Sequence, residues 1–103
     1  MANWISVRRV IIITDTAIES PNLEHLMSIG VRGYNCVYCF GKGRHESMED
    51  PFTGRSQVRI EVLASQSIAE KVMDYIHEPE FARYPIIAFS DTVEIDERNA
   101  SYF

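Results

Sequence analysis

The sequence has 103 residues, 46% of them apolar and 24% charged, which suits one folded domain over 1–103 and excludes a chain dominated by disorder. Ten Lys and Arg face fifteen Asp and Glu, and the net charge of −5 argues against a general nucleic-acid binder. The acidity is local: residues 1–64 carry seven basic and seven acidic side chains, and residues 65–103 carry three against eight.

Val7 to Thr14 predicts a buried strand, because its run is short, apolar and β-branched. Ser20 and Pro21 predict a helix start, with Ser as N-cap and Pro at the first helical position. A start at Thr16, with Glu19 closing a capping box, is the less favoured alternative because it puts Pro21 inside the first turns. Leu23, Leu26 and Met27 follow at helical spacing, and Gly30 is a natural stop. Val31 to Phe40 predicts a second strand, with Gly33 as a bulge or close-approach point. Residues 44–56 are polar, turn-rich and too long for a tight hairpin.

Gln57 to Leu63 alternates, with Val58, Ile60 and Val62 on one face, which predicts a half-buried strand. Ser67 and Glu70 form a capping box for a helix reaching His77, with Ile68, Val72, Met73 and Ile76 as its apolar stripe. Pro85 to Ser90 predicts a strand, Val93 to Ile95 a short extra one, and 96–103 a loose tail. The order is βαββαβ, an α+β ferredoxin-like plan: an antiparallel sheet with two helices on one face and a long loop between strands 2 and 3.

No apolar run reaches the roughly 20 residues that cross a bilayer, and Met1 to Trp4 opens no secretory signal. With two cysteines and no disulfide framework, a reducing cytoplasm is the expected home. Cys36 and Cys39 form a C-x-x-C, but inside a strand residues three apart point to opposite faces. Two buried strand cysteines are therefore favoured over redox or zinc chemistry. No nucleophile–base constellation is present, so the chain is not expected to be an enzyme. Gly41-Lys42-Gly43-Arg44 is the strongest local signal. Its glycines let backbone N–H groups turn toward an anion, and Lys42 and Arg44 add charge. Arg55 and Arg59, at the far end of the same loop, could converge on such an anion.

Taken together these stretches resemble the PII superfamily, and within it the PII-like branch of SbtB and carboxysome-associated PII proteins. Ile29 to Asn35 resembles the family's approach to the second strand. Gly41 to His45 falls at the base of its T-loop, which would span 44–56. Val58 to Leu63 resembles the third strand, and Ser67 to Met73 the second helix. The resemblance implies a homotrimer with an adenine nucleotide in each cleft between subunits. Gly41, Lys42, Gly43 and Arg44 would hold phosphate and ribose. Gly33, Tyr34 and Asn35 would line one side of the base, and Glu61, Val62 and Leu63 the other. The family's glycine-rich B-loop and paired C-terminal arginines are not matched by Phe81 to Pro85 or Ile95 to Arg98, which favours AMP or ADP over ATP. No Tyr stands in 44–56 for the family's uridylylation, and Asn35 replaces its Thr.

The resemblance further implies a signalling protein without a metal. Its T-loop would regulate bicarbonate transport or carboxysome-linked CO2 fixation by engaging a membrane transporter or a carboxysome-associated protein. Arg55 and Arg59 would take bicarbonate or another second anion. The alternative is a trimeric metal-binding protein of the CutA type, for which only Cys36, Cys39 and His45 speak.

Overall fold

The computed structural model describes residues 1–41, 56–81 and 83–102, with Tyr102 described by its backbone alone. Lys42, Gly43, Arg44, His45 and the rest of the expected T-loop through Arg55 lie outside the described residues. The strands are β1 (Trp4–Asp15), β2 (Asn35–Phe40), β3 (Ser56–Ala64) and β4 (Ile86–Asp96), and the helices are α1 (Glu19–Ser28) and α2 (Gln66–Tyr75). The four strands form one sheet in the order β2-β3-β1-β4, with every neighbouring pair antiparallel. This is the expected ferredoxin-like arrangement, with the Val-Ile-rich first strand at the centre.

Alternation along the strands sets the two faces of the sheet. Val10 and Ile12 of β1 and Val58, Ile60 and Val62 of β3 are fully buried and share the core with Leu26, Val72 and Phe81. The opposite face carries Ile11 and Ile13 at its centre, with Val37, Ile87 and Phe89 exposed around them.

Several boundaries move for local reasons. A helical turn at Thr16–Ile18 precedes α1, and the Asp15 carboxylate caps it by accepting the Ala17 N–H at 2.7 Å. The helical path thus begins well before Ser20, and Pro21 sits third in α1. That position is tolerated because the first N–H groups of a helix have no intrahelical partner. At the other end Gly30 has φ +102, as the stop signal predicts. Val31 N–H bonds to Leu26 O at 3.0 Å and Gly30 N–H to Met27 O at 3.2 Å, which closes a Schellman motif.

β2 starts at Asn35, not Val31. Gly33 lies in the preceding loop, and a Cβ built there meets nothing within 4 Å, so it is neither a bulge nor a close approach among the described residues. Ser65, not Ser67, caps α2, by accepting the Ile68 N–H at 3.3 Å. Ala69, Val72, Tyr75 and Ile76 carry the packing of this helical stretch, while Ile68 and Met73 are only partly buried.

The two expected C-terminal strands are one, because the β1 ladder holds β4 without a break from Ile86 to Asp96. The expected loose tail from 96 begins as the end of that strand and continues as a 3₁₀ helix over Glu97–Tyr102. Glu97 N–H ties it to Asn3 O at 2.7 Å.

A buried polar pair was invisible in the periodicity. Asn22, fully buried, donates to Ile18 O at 2.8 Å and accepts from the Tyr75 hydroxyl at 2.7 Å. Each polar atom named here has a partner, so the pair locks α1 to α2 without an orphaned group. Burial pushes the Tyr75 phenol well above its ordinary pKa.

Candidate functional site

The expected site residues that are described fall into two groups along β2, one at its start and one toward its end. The first group surrounds its start. The β2–β3 ladder ends at the pair Asn35–Glu61, while β3 runs on to Ala64 with β1 still paired on its other side. The edge of β3 at Val62–Ala64 therefore leaves the ladder just where Gly33 and Tyr34 approach β2. A strand edge outside a ladder offers N–H donors and C=O acceptors to a planar ligand. Asn35 and Glu61 stand opposite each other on the open face of the sheet, and Leu63 follows on that face. Val62 points the other way and is 0% exposed, so it can line a site only through its backbone. Beside this edge a cavity of ≈ 210 Å³ is lined by Gly30, Val31, Arg32, Leu63, Ala64, Ser65 and Ile68.

The second group surrounds the end of β2. A groove of ≈ 390 Å³ is lined by Ile13, Cys39, Phe40, Gly41, Gln57, Arg59 and Ile87. A Cβ built on Gly41 falls 2.5 Å from Gln57 Oε1, so any side chain there must displace the Gln57 amide. The Arg59 guanidinium lies over the Phe89 ring, 6.0 Å from its centroid, and makes no ion pair among the described residues. Its positive charge is thus available to an anion in the groove. Arg55, the other residue expected at a second anion, lies outside the described residues.

Gly41 stands six positions along the extended chain from Asn35, about 20 Å at strand rise. A base seated at Asn35 and Glu61 is further from the Gly41 end of the same chain than the ribose and two phosphates of ADP reach. One chain therefore does not bring all the expected residues around one nucleotide.

The open face also carries a chain of paired charges. Arg9 donates to Asp91 through Nε at 2.9 Å and Nη2 at 2.7 Å, and its Nη1 lies 3.9 Å from a Glu61 oxygen. The hydrogen bonds from Arg9 hold the Asp91 carboxyl below its ordinary pKa. A depressed folded pKa stabilises the fold above the unfolded aspartate value of about 3.9 and loses that contribution as pH falls through the lower folded value. Arg9→Gln is expected to return the Asp91 midpoint toward the ordinary value. A carboxyl-carbon NMR titration checks this, and an unmoved midpoint would refute the pairing in solution.

At the C-terminus Arg98 is folded back on its own neighbour Asp96, with Nε to Oδ1 at 2.9 Å. The two cysteines lie on opposite faces, as strand geometry predicts. Cys36 pairs across the ladder with Ile60 and packs against the core, whereas Cys39 pairs with Gln57 and lines the groove. Burial, with Glu19 nearby, pushes the Cys36 thiol above its ordinary pKa. The Tyr38 hydroxyl donates to Glu19 at 2.6 Å and ties the edge strand to α1. These cysteines do not converge on one metal ion, and His45, the third residue of the metal alternative, lies outside the described residues.

Residues 7–98 match the family model described as nitrogen regulatory protein P-II. No curated protein sequence matches the chain. Among solved structures, a protein from Thermus thermophilus described as PII-like and signalling is 21% identical, with a TM-score of 0.79, covering 98% of this chain and 99% of its own. CPII of Thiomonas intermedia K12, in a structure bound to ADP and bicarbonate, is 18% identical, with a TM-score of 0.80, covering 95% of this chain and 96% of its own. Another CPII structure, bound to ADP, AMP and bicarbonate, is also 18% identical, with a TM-score of 0.78, covering 92% and 98%.

Proposed function

Because the chain belongs to the nitrogen regulatory protein P-II family over residues 7–98, we propose that it is a non-enzymatic PII-like signalling protein that binds AMP or ADP between subunits of a homotrimer. The observation that carries this reading is the separation of Asn35 from Gly41, which stand at opposite ends of β2. A neighbouring copy that sets its Gly41 end against the Asn35–Glu61 end of this chain completes one site per contact. Lys42, Gly43 and Arg44 would then meet phosphate, and the free edge of β3 would meet the base.

The open sheet face supports the trimer. Val37, Ile87 and Phe89 are 59%, 58% and 46% exposed on it, and apolar area of this kind is covered in a stable assembly. Its Arg9, Asp91 and Glu61 charges are already paired within the chain, which lowers the cost of covering them. The ligands carried by CPII favour ADP and AMP with bicarbonate as co-ligand. Arg59, and Arg55 with it, would supply the cation for bicarbonate. Residues 44–56 would then act as a T-loop that engages or releases a partner of inorganic-carbon transport or carboxysome-linked CO2 fixation. The expected setting is the cytoplasm, with recruitment to a membrane transporter. Among the described residues no helix is long and apolar enough to cross a membrane itself. A switch of this kind needs contacts that differ between the loop's two states, and not binding alone.

Titration calorimetry with AMP, ADP and ATP, each with and without bicarbonate, tests the reading alongside sedimentation of the free protein. The expected result is a trimer with one adenine nucleotide per chain, AMP or ADP binding more tightly than ATP. A protein that binds none of the three at millimolar concentration overturns it.

A further inference from the structure

On the helical face, away from both ends of β2, three ligand-bearing side chains from distant parts of the sequence meet. His25 comes from the last turn of α1, and Glu78 and Glu80 come from the turn that follows α2. Their ligand atoms all lie within 4.8 Å of one another. His25 Nε2 is hydrogen-bonded to Glu80 Oε1. We propose that His25, Glu78 and Glu80 form a binding site for a divalent transition-metal ion of the zinc type.

The imidazole is held in place for this task. It stacks on Tyr75 with centroids 5.0 Å apart and planes 9° from parallel, and the edge of Phe81 packs on it at 5.2 Å. Tyr75 is itself fixed by its hydrogen bond to buried Asn22. A ligating histidine needs its ring oriented by its surroundings, and here aromatic packing does so. The turn is equally set: Glu78 N–H bonds to Tyr75 O at 3.0 Å, and Phe81 N–H bonds to Glu78 O at 3.0 Å. The turn thus holds the backbone from which both carboxylates come within 4.8 Å of the histidine nitrogen.

Charge supplies the second argument. An ordinary His–Glu pair would need one carboxylate. Here a second carboxylate stands within reach, in the acidic third of the chain, and like charges so close repel. A divalent cation offsets both. One imidazole nitrogen with two carboxylate oxygens suits zinc, whose remaining position water can fill. Magnesium and calcium prefer oxygen alone. The ion would take the Nε2 lone pair, so the neutral ring would carry its single proton on Nδ1, and the contact between Nε2 and Glu80 would give way to bonds to the ion. The exposed glutamates can close the short remaining distance, since the Glu80 side chain is 54% accessible. The ion would fasten α1 to the chain just after α2.

Calorimetric titration of the whole protein with Zn2+ tests this site. The expected result is one Zn2+ per chain, with affinity reduced about tenfold or more in His25→Gln and in the double variant Glu78→Gln/Glu80→Gln. The double variant changes only exposed side chains, so it stays informative if His25→Gln fails to fold. Cys36→Ser/Cys39→Ser is expected to keep the wild-type affinity, which separates this site from thiolate binding. Absence of Zn2+ binding by the wild type up to millimolar metal, or wild-type affinity in the glutamate double variant, overturns the proposal.

Discussion

Phe81→Ala is expected to lower the free energy of unfolding by about 3–5 kcal/mol, the range for deleting a buried aromatic ring. Phe81 is 1% exposed and belongs to the main core cluster, although it stands on a short turn outside the regular elements. Its ring packs edge-on against Tyr75 at 5.3 Å as well as against His25. Removing it opens a cavity under the chain that links α2 to β4, and the backbone around it is too well bonded to collapse into the space. Denaturant unfolding checks the value. Wild type and variant must be compared at one chain concentration, because unfolding of an oligomer depends on it. A loss below about 1 kcal/mol would mean that the turn can close over the gap.

The largest functional effect is expected from Arg44→Ala. A guanidinium that hydrogen-bonds phosphate contributes about 1.5–3 kcal/mol, a roughly ten- to hundredfold change in Kd. AMP and ADP should weaken by that amount, and adenosine, which has no phosphate, should bind nearly as before. Calorimetry with the three ligands separates the outcomes. Equal losses for adenosine and ADP would move Arg44 away from phosphate and into the base pocket or the fold itself.

Most of the sheet was legible in the sequence because alternation and β-branching speak at short range. Val58, Ile60 and Val62 announce their face of β3, and the Val-Ile run announces a central β1. The boundaries were harder, because they depend on contacts between elements. Asp15 starts the helical path by a local hydrogen bond that competes with the Ser20-Pro21 signal. β4 extends through polar Asp91 because the long β1 strand lies beside it and because Arg9 meets that aspartate.

The candidate site divides the same way. The glycine-cation turn and the approach to β2 could be read as motifs. That Gly41 and Asn35 stand at opposite ends of one strand could not, since only the ladder register measures that distance. Val62 was expected at the site only by resemblance, and its side chain belongs to the core. The Tyr75–Asn22 bond and the meeting of His25 with Glu78 and Glu80 join residues about fifty positions apart, as hydrogen-bond separations of 53 and 55 show. No local pattern carries such pairs.

The length of β2 has a consequence for signalling. On the proposed reading, the chain that recognises the base is never the chain whose loop meets the phosphates. Each loop therefore reports a nucleotide chosen by its neighbour. In a mixed assembly, a copy damaged at one end still lends its sound end to the next copy. Occupancy is then inherited around the ring, and a defect is shared between neighbours instead of silencing the copy that carries it.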